Sequence, residues 1–315
     1  MPRPLALSVL ACTLLVAGCG GKGDGAKADA KADAKADAKA DAPADAPRDP
    51  STSLDKVVQG VDISGPVPPE VSMVFFTLDG ALVPLGCYDK DKKKIQGGKE
   101  CLHLAPKGAE VYLKSAFSAQ VDVVGDPKNA LCEVGDGKPT SLSVAAVDAG
   151  ATFDWATTPK SAAQKVVSVS PDTWGESTRR FTDEEKAAVQ AAVEGFEAKV
   201  AGNKAEIHQA ASVDLDGDGK EERLFSAYVV NPRDTARYLF SGVLLARGSD
   251  PGKLLLVDKT RTNSEIFKVR AAVDLDGDGK HELWLNAAFD EGGGDRMVRW
   301  EGDGFEPLAK WTCGL

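Results

Sequence analysis

The segment VDLDGDGKEE, running from Val213 to Glu222, returns sixty residues later as VDLDGDGKHE, from Val273 to Glu282, with seven consecutive identities from Asp214/Asp274 to Lys220/Lys280. The repeat imposes the same sharp turn at two places in the chain. In each copy the aspartates at positions 1, 3 and 5 (Asp214, Asp216 and Asp218; Asp274, Asp276 and Asp278) aim oxygens into a tight loop. Glycines at positions 4 and 6 permit the turn, position 7 (Lys220 or Lys280) offers its carbonyl, and position 9 (Glu222 or Glu282) adds a carboxylate. Such all-oxygen clusters suit a hard cation of calcium's size better than zinc or copper. The expectation is two calcium ions, one per loop. The competing reading is a pair of Asp/Gly turns whose aspartates only cap backbone amides.

A helix–loop–helix calcium hand would require glutamate at position 12, where this chain has Phe225 and Leu285. The residues after each loop alternate as a strand does: Phe225, Ala227 and Val229 match Leu285, Ala287 and Phe289, while Ser226 and Asn286 point the other way. With these features the segment at about residues 208–315 resembles the FG-GAP and VCBS class of repeats, whose blades carry Asp-rich calcium loops, as in the propeller of integrin α subunits. The resemblance implies one ion on Asp214, Asp216, Asp218, the Lys220 carbonyl and Glu222. It implies a second on Asp274, Asp276, Asp278, the Lys280 carbonyl and Glu282.

Strands are expected near Tyr238–Ala246, Lys253–Asp258 and Glu265–Val273, so one period holds about four strands, the content of one propeller blade. Further strands near Leu283–Phe289, Met297–Trp300 and Phe305–Ala309 give fewer than two blades, where a closed propeller needs at least about four. Either the N-terminal β region supplies degenerate blades, or this is an open β-structure that uses the blade loop. The Gly/Asp clusters at Gly135–Lys138 and Glu301–Gly304 read as hairpin turns.

The fold class expected is mainly β: a β-rich domain at 54–170, a connector with one helix at 171–202, and a two-repeat calcium-loop domain of propeller-blade-like antiparallel sheets at 203–315. In the first domain, Asp79-Gly80 between Val71–Leu78 and Ala81–Leu85 is the best hairpin signal. Other strands are expected at Glu110–Leu113, Gln120–Val124, Ser141–Val147 and Lys165–Val169. The helix is expected over about Asp183–Val200, with Thr182 and Glu185 spaced as a capping box and Val189, Val193, Phe196 and Val200 on one stripe.

Residues 1–18 read as a signal peptide, with an apolar run from Leu5 to Ala17 too short to span a bilayer permanently. The sequence VAGC ending at Cys19 resembles the bacterial lipobox. That resemblance implies lipidation of Cys19 and anchorage in the cell envelope; glycine rather than aspartate at position 20 leans towards the outer membrane. Residues 19–53 form a low-complexity KADA and proline tether, and its 34 or so flexible residues would reach roughly 30 Å. Of the remaining cysteines, Cys87 and Cys101 flank a polar loop and are the preferred disulfide, which leaves Cys132 with Cys313 by elimination.

A net charge of −10 argues against nucleic acid as a partner. No nucleophile elbow, zinc-binding histidine motif or phosphate loop is present, so no enzyme is expected. His208 and His281 lie near the acidic loops, with His281 read as an outward side chain, and Asp290, Glu291 and Asp295 read as a solvated loop. The leading expectation is a non-enzymatic, lipid-anchored, calcium-stabilised module that binds a protein or polysaccharide. The alternatives are a structural component of an envelope assembly and a surface hydrolase.

Overall fold

Asp79 and Gly80 both adopt left-handed backbone, φ 48° and 71°, which is the geometry a two-residue hairpin needs if it is to match the twist of its strands. They join β1 (Ser72–Leu78) to β2 (Ala81–Asp89). Five more strands come next: β3 (Lys94–Gly97), β4 (Glu110–Lys114), β5 (Ala119–Lys128), β6 (Ser141–Val144) and β7 (Trp155–Thr158). Antiparallel pairing runs β1–β7–β4–β5–β6–β2 and returns to β1, closing a six-stranded barrel on which β3 is an extension of β2. The computed structural model describes residues 72–129, 139–169, 181–247, 252–260, 263–289 and 292–311, with backbone alone at 173–174 and 313–314. Cys19, the tether and Cys132 lie outside the described residues, as does the side chain of Cys313.

The run SMVFFTL in β1 is apolar on both faces because both are covered. Met73 and Phe75 fill the barrel with Leu82, Val111, Leu113 and Val124, while Val74 and Phe76 join Val83, Leu85 and Trp155 on the outside. Cys87 and Cys101 are disulfide-bonded and fully buried in the barrel core. The segment between them is more ordered than its polarity suggests. Asp89 Oδ1 accepts from the amides of Asp91 and Lys92 at 3.1 Å each, and β3 and a 3₁₀ turn at Gly98–Leu104 complete the segment. The strand expected at Ser141–Val147 stops at Val144. There Asp122 Oδ2 accepts from the Ala146 amide at 3.0 Å, and one helical turn, Ala145–Asp148, drops Val147 into the barrel core.

Two antiparallel sheets make up the C-terminal half. The first, in the order β13–β12–β11–β10–β9, comprises β9 (Thr173–Trp174), β10 (Glu206–Val213), β11 (Glu222–Asn231), β12 (Asp234–Ala246) and β13 (Leu254–Lys259). The second, in the order β17–β16–β15–β14–β8, comprises β8 (Val166–Ser168), β14 (Ile266–Val273), β15 (Glu282–Phe289), β16 (Gly292–Glu301) and β17 (Gly304–Lys310), with β18 (Cys313–Gly314) on β16. The sixty-residue period does contain four strands, but β14 leaves the first sheet for the second. The expected strand at Lys165–Val169 is the shorter β8, preceded by a 3₁₀ turn at Lys160–Lys165.

The helix Asp183–Phe196 has the capping box in full: Glu185 N donates to Thr182 Oγ1 at 3.1 Å, and Thr182 N donates to Glu185 Oε2 at 2.9 Å. It ends four residues before Val200, where Glu197 turns extended and a 3₁₀ turn at Ala198–Val200 takes over. Val189, Val193 and Val200 are buried against Phe225, Ala227, Phe240 and Leu244 of the first sheet. The other face of that sheet packs on the second through Val213, Leu224, Val243 and Leu245 against Phe267, Val269, Leu283 and Leu285. The far face of the second sheet covers the barrel through Val273, Trp284, Met297 and Trp311. The order of layers is therefore helix, sheet, sheet, barrel. The N-terminal strands form that barrel rather than further blades, and among the described residues the two sheets do not close into a propeller.

Candidate metal centres

Each acidic loop connects the two strands at the middle of its sheet, β10 to β11 and β14 to β15. The register is the same at both bases: Val213 opposes Glu222 and Val273 opposes Glu282. The inner glycines have φ of 75° and 83° at Gly217 and Gly219, and 80° and 86° at Gly277 and Gly279, a left-handed backbone that a side chain would strain. A Cβ on Gly217 would also run into the Gly279 carbonyl, because the two loops touch. His281 N donates to the Leu215 carbonyl at 2.9 Å across the same junction, and His281 is half-buried there rather than outward.

The loops hold their aspartates by a shared set of bonds, to which the first loop adds one from Gly219 N to Asp214 Oδ2 at 2.9 Å. Asp214 Oδ1 accepts from Gly217 N at 2.8 Å, and Asp274 Oδ1 from Gly277 N at 2.6 Å. Asp216 and Asp276 each accept at Oδ1 from the amide two residues on, at 3.2 Å, and Asp218 and Asp278 accept at Oδ1 from Lys220 N and Lys280 N at 2.8 Å. In each loop the three aspartates bring one oxygen apiece within 4.8 Å of one another. The position-9 glutamates are buried beneath the loops. Glu222 Oε2 accepts from Leu215 N at 2.7 Å, and Glu282 Oε2 from Leu275 N at 3.1 Å. The Lys220 and Lys280 side chains stay exposed, the latter lining a cleft with Asp216, Asp218, Arg247 and Trp300.

The electrostatics result from this crowding. Burial pushes the Glu282 carboxyl up to about 7, with repulsion from Asp276 adding to it. Glu222 is raised as well, first by burial and then by Asp216, Asp214 and Asp218. Asp276 is raised by burial and by its neighbour Asp278. The bond from the Lys220 amide instead holds Asp218 below its usual range.

Two arginines of β16 carry no signal in the sequence. Arg299 on β16 reaches the second loop, with Nη2 3.4 Å from Asp276 Oδ2 and 3.8 Å from Asp278 Oδ2, and Nε 3.8 Å from Glu282 Oε1. Only cross-strand register signals it, since it stands one step beyond the pair Leu283–Val298. Arg296, also unforeseen, is buried and bonds Asp258 Oδ2 at 2.9 Å and Glu265 Oε2 at 2.7 Å, tying the two sheets. Asp295 is not in a solvated loop. It is a buried strand residue accepting from Trp284 Nε1 at 2.6 Å, while Asp290 and Glu291 lie outside the described residues. His208 is half-buried on β10 beside the Tyr228 ring, and burial lowers its pKa. No family model, curated protein or solved structure matches the chain.

Proposed function

We propose that this chain is a lipid-anchored cell-envelope protein whose two acidic loops each bind a calcium ion and thereby fix the edge of a non-enzymatic binding module. The donors would be Asp214, Asp216, Asp218, the Lys220 carbonyl and Glu222 at one centre, and Asp274, Asp276, Asp278, the Lys280 carbonyl and Glu282 at the other. The observation that carries the reading is the duplication itself: three aspartates and a buried glutamate in a closely matching hydrogen-bonded arrangement, at the same register, on two sheets packed face to face. A turn needs only backbone capping. A glutamate buried under three aspartates makes the turn costlier to fold, and a hard cation among the carboxylates offsets that cost.

The ion's part is to neutralise these charges and brace the loop junction. Protein or polysaccharide would then meet the loops that the braced module presents. The test is thermal melting of the full mature chain with millimolar calcium and with chelator. An ion bound to the native state adds about 2.7 kcal/mol at a hundredfold excess over Kd, so melting should rise with calcium and fall with chelator. Asp216→Ala or Asp276→Ala should each remove part, and neither all, of the calcium response. No calcium-dependent shift, together with no heat on titration at low millimolar calcium, would leave only the capped-turn reading.

A further inference from the structure

We infer, on the reading that the loops bind cations, that the two centres are unequal because Arg299 already serves as the resident positive charge of the second. In that loop the backbone amides take Asp276 Oδ1, Asp278 Oδ1 and Glu282 Oε2. Arg299 stands 3.4–3.8 Å from the other oxygen of each carboxylate: Asp276 Oδ2, Asp278 Oδ2 and Glu282 Oε1. The guanidinium thus faces the three oxygens that the loop leaves open for an ion. Lys165 Nζ also lies beside the loop backbone, 3.1 Å from where a Cβ on Gly277 would stand.

The first loop has the same opportunity and does not use it. One step beyond the register pair Arg223–Ala246, level with Glu222, stands Arg247, the counterpart of Arg299. Arg247 turns away, its guanidinium 4.8 Å from the Trp300 ring centre and 3.9 Å from Asp303. Asp216 and Asp218 therefore open onto a cleft whose walls also carry Arg247 and Lys280, and the ion pair Lys220 Nζ to Asp218 Oδ2 at 3.2 Å lies on its exposed rim. A cation entering the first loop need not displace Arg247, which is paired with Asp303, whereas one entering the second displaces the Arg299 guanidinium. The first centre fills first and exchanges with solvent; the second fills only when Arg299 withdraws.

Calcium titration calorimetry on the full mature chain tests this, with Asp276→Ala reporting the first centre and Asp216→Ala the second. A partly exposed ion-pair set of this kind corresponds to about a fivefold difference in affinity, so the Asp216→Ala protein should bind calcium at least that much more weakly. Adding Arg299→Met to Asp216→Ala should recover the difference, while adding Arg247→Met to Asp276→Ala should not change affinity. In chelator, Arg299→Met alone should melt below the wild type, and millimolar calcium should close the gap. Arg299→Gln gives the same readings if the methionine variant does not fold. Equal affinities at the two centres, or weaker binding when Arg299 is replaced, would overturn the inference while leaving the metal reading intact. No binding in any of these proteins would overturn both.

Discussion

The side-chain amide of Gln209 completes a hydrogen-bonded ring with the backbone of Val269: its Nε2 donates to the carbonyl at 3.0 Å and its Oε1 accepts from the amide at 2.7 Å. Val269 is where β14 slips register against β15, so its polar groups are supplied from the neighbouring sheet. Gln209→Leu would leave a buried N–H and a buried carbonyl without partners, at a cost of about 1–3 kcal/mol for each orphaned group. Urea unfolding of the variant should show that loss, and stability equal to wild type would mean the bulge finds partners elsewhere.

The capping box of the Asp183–Phe196 helix invites a smaller change. Thr182→Ala should lower stability by about 1 kcal/mol, the usual worth of such a cap. Thr182→Ser, which keeps the oxygen, should lie close to wild type in the same denaturation series.

Without metal, stability should fall as pH rises from about 4.5 to about 7, because Glu282 keeps its proton in the fold up to about 7 but ionises near its ordinary value of 4.5 once unfolded. Its contribution is fully present below the unfolded value and is lost as pH climbs through the folded one. Glu222, Asp276 and Asp295 are shifted in the same direction. Chelator-treated Glu282→Gln should therefore show a flatter pH profile across this range, and millimolar calcium should flatten the wild-type profile too.

Two glycines let the barrel approach the second sheet, and they should not be equally replaceable. A Cβ on Gly86 would meet the flexible Met297 thioether, whereas one on Gly97 would meet the Leu308 backbone carbonyl. Gly97→Ala should therefore destabilise more than Gly86→Ala, with differential melting of the two variants as the check. Equal losses would show that the β17 backbone yields as easily as a methionine.

The anchor is tested separately. The mature chain should partition into detergent by virtue of lipid on Cys19, and Cys19→Ala should move it to the aqueous phase; a variant that still partitions with detergent would remove the assignment.

What the sequence disclosed was local. The Asp79-Gly80 hairpin, the Thr182–Glu185 cap, the Cys87–Cys101 bridge and the two acidic loops each depend on residues near one another in the chain. The barrel was not legible, since its closure depends on β1 pairing with β7 and β7 with β4, and nothing in those segments names a partner. Arg299 was hidden for the same reason: an arginine on a strand gains meaning only when register sets it beside Glu282. Asp295 looked like part of a glycine-rich loop because three glycines precede it, yet those glycines pair with Phe289, Ala288 and Ala287 as β16.

The short strands β8 and β9 are neighbours in the chain but belong to different sheets. Val166 pairs with Val273 and Thr173 pairs with Ala210, so the second sheet starts before the first and ends after it. A chain emerging N-terminus first would deliver β8 early and leave it without a partner until the whole first sheet had emerged. Assembly then has an order: the first sheet can form once β10 to β13 are out, while the second waits on β14 to β17. Such non-local closure is slow, and truncation within β15 to β17 should strand the barrel-facing sheet as a half-built edge prone to aggregation.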